Sequence, residues 1–170
     1  MAVEEPAFQT VLQDGALEIR DYPALVVAEV TVTGEQKEAA SKGFRLLAGY
    51  IFGGNRRKQS IAMTAPVTQT QMAGEWIVRF TMPSSYSLET LPEPKDARVR
   101  LRVTPPARFA VIRFSGLARP GDVTTKTAEL SAWMQNRHLR DAGPPSLAQY
   151  NPPWTPWFMR RNEVMIPIEH

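Results

Sequence analysis

The chain contains a weak internal repeat, and this repeat constrains its fold more than any other feature. The run "YPALVVAEVTVTG" is matched about eighty residues later by "PPARFAVIRFSG", and "WIVRFTMP" is matched by "NEVMIPI". Two units of strand, helix, strand and strand, each after a leading hairpin, can pair their sheets about a pseudo-two-fold axis. We therefore predict an α+β fold for a single domain, 1–170, with pseudo-repeats at about 16–83 and 98–168.

Residue type and spacing predict the elements of the first repeat. The runs "ALEIRDY" and "ALVVAEVTVTG" are rich in β-branched residues and predict two strands. From Glu35 onward, apolar residues recur every three or four positions and predict a helix, which Gly53 and Gly54 end. Further strands are expected at about 60–69 and 75–82. The apolar positions that define the helical face are Ala40, Phe44, Leu47 and Ile51.

The second repeat follows a proline-rich polar connector over 83–98. The run "VRLRVTPPARFAVIRFSG" predicts two strands around a turn at Pro105 and Pro106. A second helix is expected next, with Asp122 or Thr124 as its N-cap.

Composition excludes several classes of site. The 170 residues contain no cysteine, which rules out disulfides, thiolate metal sites and covalent c-type haem attachment. The two histidines, His138 and His170, stand in no metal-ligand motif, so we predict no metal site. The sequence also contains no GxSxG elbow and no phosphate-binding loop, so we predict no enzymatic activity. The net charge is only +3 and the densest basic run is "RRK", which predicts a solvated loop and no nucleic-acid partner.

The chain also lacks the sequence marks of a membrane protein. Its start has no basic n-region followed by an apolar stretch, and no apolar run approaches the ~20 residues that span a bilayer. We therefore expect a cytoplasmic protein without a membrane span. We also expect a monomer.

Aromatic residues between prolines predict a binding surface for a small molecule. The segment "PPWTPWFM" is unusually aromatic for a loop, and Phe44 and Leu47 lie on the predicted first helix. Apolar pockets lined by aromatic side chains are the common form of small-molecule sites. Packing in the core is an equally weighted alternative for Phe44 and Leu47.

Taken together, the motifs resemble the SOUL haem-binding protein family. The resemblance rests on "LEIRDYPALVVAEV", "FRLLAGYIFGGNRRKQSIAMTAPV", "FTMPSSY" and "YNPPWTPWFMRRNEVMIPI", which occur in the family's order and cover nearly the whole chain. It implies a distorted antiparallel β-barrel flanked by two helices, built from a duplicated β-α-β-β unit. It also implies non-covalent binding of haem or a related tetrapyrrole in a shallow hydrophobic cleft, for carriage or buffering.

The resemblance further implies which residues contact this planar ligand. An axial histidine proposed in some members has no counterpart here, because Ala24 and Leu25 stand at its position. Basic residues that meet the propionates in other members correspond to about Ser41, Gly49 and Thr155. The neighbouring lysine and arginine of the first helix are therefore the candidates here. The predicted ligand contacts are Lys42, Phe44, Arg45, Leu47, Ala48 and Ile51 on the first helix, and Trp154, Thr155 and Trp157 on the C-terminal loop.

Two alternatives stay open at this point. One is an effector-binding or protein-interaction domain of the same fold, which binds another hydrophobic ligand and has no role with haem. The other is an enzyme that acts on a tetrapyrrole or lipid-like substrate through carboxylates such as Glu75 and Glu163.

Overall fold

The computed structural model describes residues 3–152 and 154–170 as nine strands and two α-helices. Every pair of neighbouring strands assigned within the two units described below is antiparallel. The predicted class, α+β with an antiparallel sheet and two helices, is confirmed. The elements are β1 (Gln9–Asp14), β2 (Leu17–Tyr22), β3 (Leu25–Val32), α1 (Gln36–Ile51), β4 (Val67–Met72), β5 (Glu75–Thr81), β6 (Arg100–Thr104), β7 (Ala107–Phe114), α2 (Pro120–Asn136), β8 (Ser146–Gln149) and β9 (Asn162–Ile168).

The chain divides into two compact units, which we describe separately. The first unit comprises residues 3–6 and Ala24–Pro105, and the second comprises Ala7–Pro23 and Pro106–His170. In the first unit the strands run in the order β4-β5-β3-β6, and in the second β8-β9-β7-β2-β1. Each unit thus contains one strand, helix, strand and strand in sequence, as the repeat predicts. The duplication itself stays a prediction.

Helix α1 packs closely against the sheet of the first unit. Its buried side includes Gly43, where an added Cβ would lie 2.5 Å from a methyl carbon of Val78 on β5. Only a residue without a side chain fits there at this distance. The buried residues of α1 are Ala39, Gly43, Leu47, Tyr50 and Ile51, so the core face is rotated from the predicted one and leaves Phe44 partly exposed.

The end of α1 is built around a fully buried asparagine. As predicted, glycines follow the helix, and Gly53 has the left-handed φ of 108°. The side-chain amide of Asn55 donates to the carbonyl oxygens of Tyr50 and Gln59, at 3.0 and 2.8 Å. Its side-chain oxygen accepts from the backbone N–H groups of Arg57 and Gln59, at 3.2 and 3.0 Å. Asn55 therefore fixes the loop that follows the helix.

Replacing Asn55 with alanine is expected to lower the free energy of unfolding by about 1–3 kcal/mol. The substitution removes four hydrogen bonds and leaves backbone groups of the loop without these partners. Urea unfolding followed by circular dichroism measures the change. Asn136→Ala, at an exposed position at the end of α2, is the control and should change stability by no more than about 0.5 kcal/mol. Equal stability of the two variants would contradict the assigned role.

The strand predicted at 60–69 is wrong over most of its length. The strand β4 begins only at Val67, and the preceding residues follow an irregular path. Backbone hydrogen bonds to residues distant in sequence hold this path: Ile61 N–H donates to Ile51 O at 2.7 Å, and Ala65 N–H donates to Glu4 O at 3.0 Å. These hydrogen bonds do not belong to the ladder of a β-strand. Residue type alone cannot distinguish such a segment from a strand.

In the second unit, α2 lies against a sheet whose central strands are apolar. Leu130 and Met134 of α2 are buried with Ile112 and Val164. The predicted N-cap is wrong: the cap is Arg119, and Asp122 acts three residues later, where its carboxylate accepts the Arg119 N–H at 3.1 Å. Like a cap residue, Asp122 at the third helical position provides a hydrogen-bond acceptor for a backbone N–H at the start of the helix.

Candidate functional site

The predicted ligand contacts fall into both compact units. Those on α1 belong to the first unit, and those on the C-terminal loop belong to the second. We describe each group within its own unit.

On α1 the structure separates surface residues from core residues. Lys42 and Arg45 are exposed, and Phe44 is 40% exposed with its ring packed on Phe80 at 5.5 Å between centroids. Ala48 is half-buried.

Leu47 and Ile51 lie in the core of the first unit. They are 0% and 1% exposed and pack with residues of the sheet. Their side chains therefore offer no surface for a ligand to contact, and we withdraw both from the predicted contact set. Their role is to attach α1 to the sheet.

The loop of the second unit exposes a continuous apolar segment, which we call the aromatic loop (residues 154–159). Thr155 is half-buried, and the rings of Trp157 and Phe158 contact edge to face at 5.6 Å. Phe158 and Met159 were outside the predicted contact set although they belong to the same segment. The exposed fractions are 82% for Trp154, 60% for Trp157, 62% for Phe158 and 63% for Met159.

Hydrogen bonds from main-chain and side-chain groups hold the aromatic loop in place. The N–H of Gly116 donates to Trp157 O at 3.0 Å, and the side-chain amide of Asn162 donates to Gly116 O at 2.9 Å. At the base of the loop, Arg161 N–H donates to the side-chain oxygen of Asn151 at 2.6 Å. The exposed aromatic residues thus stand on a loop whose main chain is fixed at several points.

A buried charge cluster lies at the base of this loop. Glu163, which is 0% exposed, accepts two hydrogen bonds from the guanidinium of Arg20, at 2.8 and 2.7 Å. It also accepts from the hydroxyl of Tyr150 and from Nη2 of Arg161, the latter at 3.3 Å. Burial alone would raise the pKa of Glu163, but the Arg20 hydrogen bonds and charge outweigh it and lower the pKa below the ordinary value.

The partners of Glu163 are themselves anchored. Nε of Arg20 donates to Glu18 at 2.9 Å, Nη1 donates to the Tyr22 hydroxyl at 3.0 Å, and the guanidinium lies 4.2 Å from the Phe8 ring centroid. Burial raises the pKa of Tyr22 and of Tyr150. Glu163 is thus enclosed and bonded to partners, so its carboxylate does not reach a substrate. Its geometry fits a structural role.

A cavity of about 490 Å³ opens in the second unit beside Trp157. Its apolar wall is formed by Phe114, Leu117 and Trp157, and its charged side chains are Arg119, Asp122 and Lys126. This volume is within the range of about 300–1,000 Å³ that is usual for small-ligand sites. The cavity and the aromatic loop share Trp157, so together they form one candidate surface within this unit.

The side chains of this surface are aromatic, apolar or charged, and they do not form a metal site. Within residues 3–152 and 154–170, no group of three or more His, Cys, Asp or Glu side chains could hold a metal ion. The aromatic loop contains no histidine, and His138 is exposed after the end of α2. The surface offers aromatic side chains together with the cationic groups of Arg119 and Lys126. In the same described ranges, no helix has the length and apolar character needed to cross a bilayer.

Sequence comparison relates the chain to haem-binding proteins. The family model for the SOUL heme-binding protein matches residues 3–167. Heme-binding protein 1 of Xenopus tropicalis is 28% identical over 161 residues, which cover 89% of this chain and 84% of the relative. Heme-binding protein 1 of Xenopus laevis is 27% identical over the same shares of both chains.

Solved structures share the fold at low identity. The C-terminal domain of EcmrR matches with a TM-score of 0.72 at 9% identity, covering 95% of this chain and 98% of that one. A hydrolase from Listeria innocua matches with a TM-score of 0.67 at 13% identity, covering 94% of each chain. SAV2435 bound to tetraphenylphosphonium matches with a TM-score of 0.53 at 12% identity, covering 90% and 93%. At these identities the likeness shows the fold alone.

Proposed function

The chain belongs to the SOUL heme-binding protein family, and we propose on this premise that it binds haem or a related tetrapyrrole without a covalent bond. The absence of cysteine supports the non-covalent mode, because thioether attachment needs thiols. The relatives named Heme-binding protein 1 support haem as the first ligand to test.

The observation that carries this proposal is the exposed and fixed aromatic loop. Exposed apolar side chains that are grouped on one surface mark interaction sites, whereas scattered ones do not. Trp154 and Trp157 stand in such a group, and Trp157 also lines the cavity. A loop whose main chain is already ordered loses little conformational freedom when a ligand binds.

The area available limits the affinity. A porphyrin face that buries roughly 300 Å² of apolar surface gains several kcal/mol at ~25 cal/mol per Å², before the cost of association. This arithmetic favours dissociation constants in the micromolar range, because no coordination bond is invoked. Reversible binding of this strength suits carriage or buffering of the ligand.

We propose two sets of contacts and treat each within its own unit. In the second unit the contacts are Trp154, Thr155 and Trp157, joined by Phe158. In the first unit they are Phe44, Lys42, Arg45 and Ala48, which retain exposed surface on α1. When bound, haem would supply an iron centre and a conjugated ring. The side chains named here would bind the ring and exclude water from it, and no axial histidine is proposed.

A titration tests the proposal directly. Haem and iron-free protoporphyrin IX are added separately while the Soret band and tryptophan emission are followed. We expect saturable changes with micromolar midpoints. Tryptophan emission should fall because a bound porphyrin quenches the tryptophans at the proposed surface. An absence of saturable change with both ligands would reject the proposal.

Phe44→Glu should weaken binding if α1 contributes contacts.

A second candidate is binding of another hydrophobic ligand, without a role for haem. The exposed aromatic loop would serve an apolar cation as well, and a protein of the same fold is described as bound to tetraphenylphosphonium. Titration with tetraphenylphosphonium separates the candidates. Saturable binding of this cation together with indifference to both porphyrins would favour the second candidate over the first.

The proposal describes a monomeric cytoplasmic binding protein without catalytic activity. The enclosed position of Glu163 supports a binding role over an enzymatic one, because the carboxylate is held by Arg20 and Tyr150.

A further inference from the structure

The cavity beside Trp157 contains more positive than negative charge. Arg119 and Lys126 contribute cationic groups to its lining, and Asp122 contributes the single carboxylate. The carboxylate of Asp122 is used locally, because one of its oxygens accepts the Arg119 backbone N–H at 3.1 Å. An apolar wall with two cationic side chains in the same lining is a composition that suits a ligand that is both flat and acidic.

Both cations are available to such a ligand. Over residues 3–152 and 154–170, the Arg119 side chain forms no ion pair. Lys126 Nζ lies 3.5 Å from Glu129 Oε2, in an exposed pair on the same helix. Pairs of this kind contribute little and exchange readily with water or another anion.

We propose that this cavity is a carboxylate subsite, in which Arg119 and Lys126 receive an acidic substituent of a ring that lies against Trp157 and Leu117. This inference rests on the proposed function and narrows its ligand class to aromatic carboxylic acids, such as porphyrins with free propionate groups. Arginine suits the role because its guanidinium donates two parallel hydrogen bonds to one carboxylate. Lysine adds a second point charge to the same group.

The experiment compares two ligands that differ only in their acidic groups. Protoporphyrin IX has two free propionates, whereas its dimethyl ester has none, and both are titrated in the same dilute cosolvent. The variants are Arg119→Gln, Lys126→Gln and the double substitution, all of which keep polar side chains. Arg140→Gln is the matched control, because Arg140 is exposed in the same unit and does not line the cavity.

We expect each single substitution to weaken binding of protoporphyrin IX about three- to fivefold, and the double substitution to weaken it about tenfold. Binding of the dimethyl ester should stay within twofold of the wild type in all variants. The affinity of the wild type for protoporphyrin IX should also fall with added salt, whereas that of the double variant should change less.

The outcomes distinguish this inference from the proposed function. If the double variant binds the free acid as tightly as Arg140→Gln does, or loses equal affinity for both ligands, the carboxylate subsite is wrong and porphyrin binding stands. If the wild type binds neither the free acid nor the ester, the subsite is wrong, and if it also fails to bind haem, the proposed function is wrong with it. Matching thermal midpoints of the variants establish that the folded protein is compared throughout.

Discussion

Replacing Trp157 with alanine is expected to weaken haem binding at least tenfold. Trp157 is the residue that the aromatic loop and the cavity share, so it offers both an exposed ring and a cavity wall. Losing roughly 60–100 Å² of apolar contact costs about 1.5–2.5 kcal/mol at ~25 cal/mol per Å², which corresponds to a factor of ten or more. The Soret band measures the change without relying on the tryptophan that was removed.

Two further variants control this experiment. Phe52→Ala removes an exposed aromatic ring of the first unit that is outside both proposed contact sets, and it should leave affinity within twofold. Trp157→Phe keeps an aromatic surface and should retain much of the binding. A dissociation constant of Trp157→Ala within twofold of the wild type would remove the aromatic loop from the proposed site.

Replacing Glu163 with alanine is expected to destabilise the protein by about 3–5 kcal/mol. The substitution removes two hydrogen bonds of the buried Arg20 guanidinium, which keeps only Glu18 as an acidic partner, and it also removes the partner of the Tyr150 hydroxyl. Removing one member of a buried ion pair is costly because the charge that is left buried loses most of its compensation. Urea unfolding measures the loss as a change in midpoint at constant slope.

A double substitution tests whether the charge, and not the volume, explains the loss. Arg20→Met combined with Glu163→Leu removes both charges and fills the same space with apolar side chains of similar size. We expect this variant to regain part of the stability lost in Glu163→Ala, because both charges of the buried pair are gone while Glu18 and Arg161 each lose one partner. A loss below about 1 kcal/mol in Glu163→Ala would show that the cluster contributes little to stability.

The same cluster predicts a pH dependence with a definite sign. Because the pKa of Glu163 is lower in the folded protein than in the unfolded chain, its contribution is complete above the unfolded pKa of about 4.3. The contribution is lost as the pH falls through the lowered folded pKa. Below about pH 4.3, the wild type should therefore lose stability more steeply than Glu163→Gln, whose side chain does not titrate.

Local patterns predicted much of the fold. The β-branched runs located β2, β3, β5 and β7, and apolar spacing located α1 and its end. The strand β1 was missed because its residues "QTVLQD" are mostly exposed and lack strand-like alternation. The segment forms a strand because it pairs with β2. Such pairing cannot be predicted from the residues of one strand alone.

The candidate site was predicted less completely. Prolines around Trp154 and Trp157 correctly indicated an exposed aromatic segment. Helical spacing marked Leu47 and Ile51 as apolar but could not show which stripe of α1 packs on the sheet. The single glutamate in the apolar run "NEVMIPI" was a visible signal of a buried charge. Its partner Arg20 stands 143 residues away, a distance across which sequence spacing carries no information.

The hydrogen bonds that fix the aromatic loop also determine how a ligand would arrive. Since Gly116 and Asn162 already hold the main chain beside Trp157, association needs no prior rearrangement of this segment. In stopped-flow mixing, the observed rate should then rise in direct proportion to porphyrin concentration, without a plateau. Residence time would then be governed by how quickly the ring dissociates from the loop.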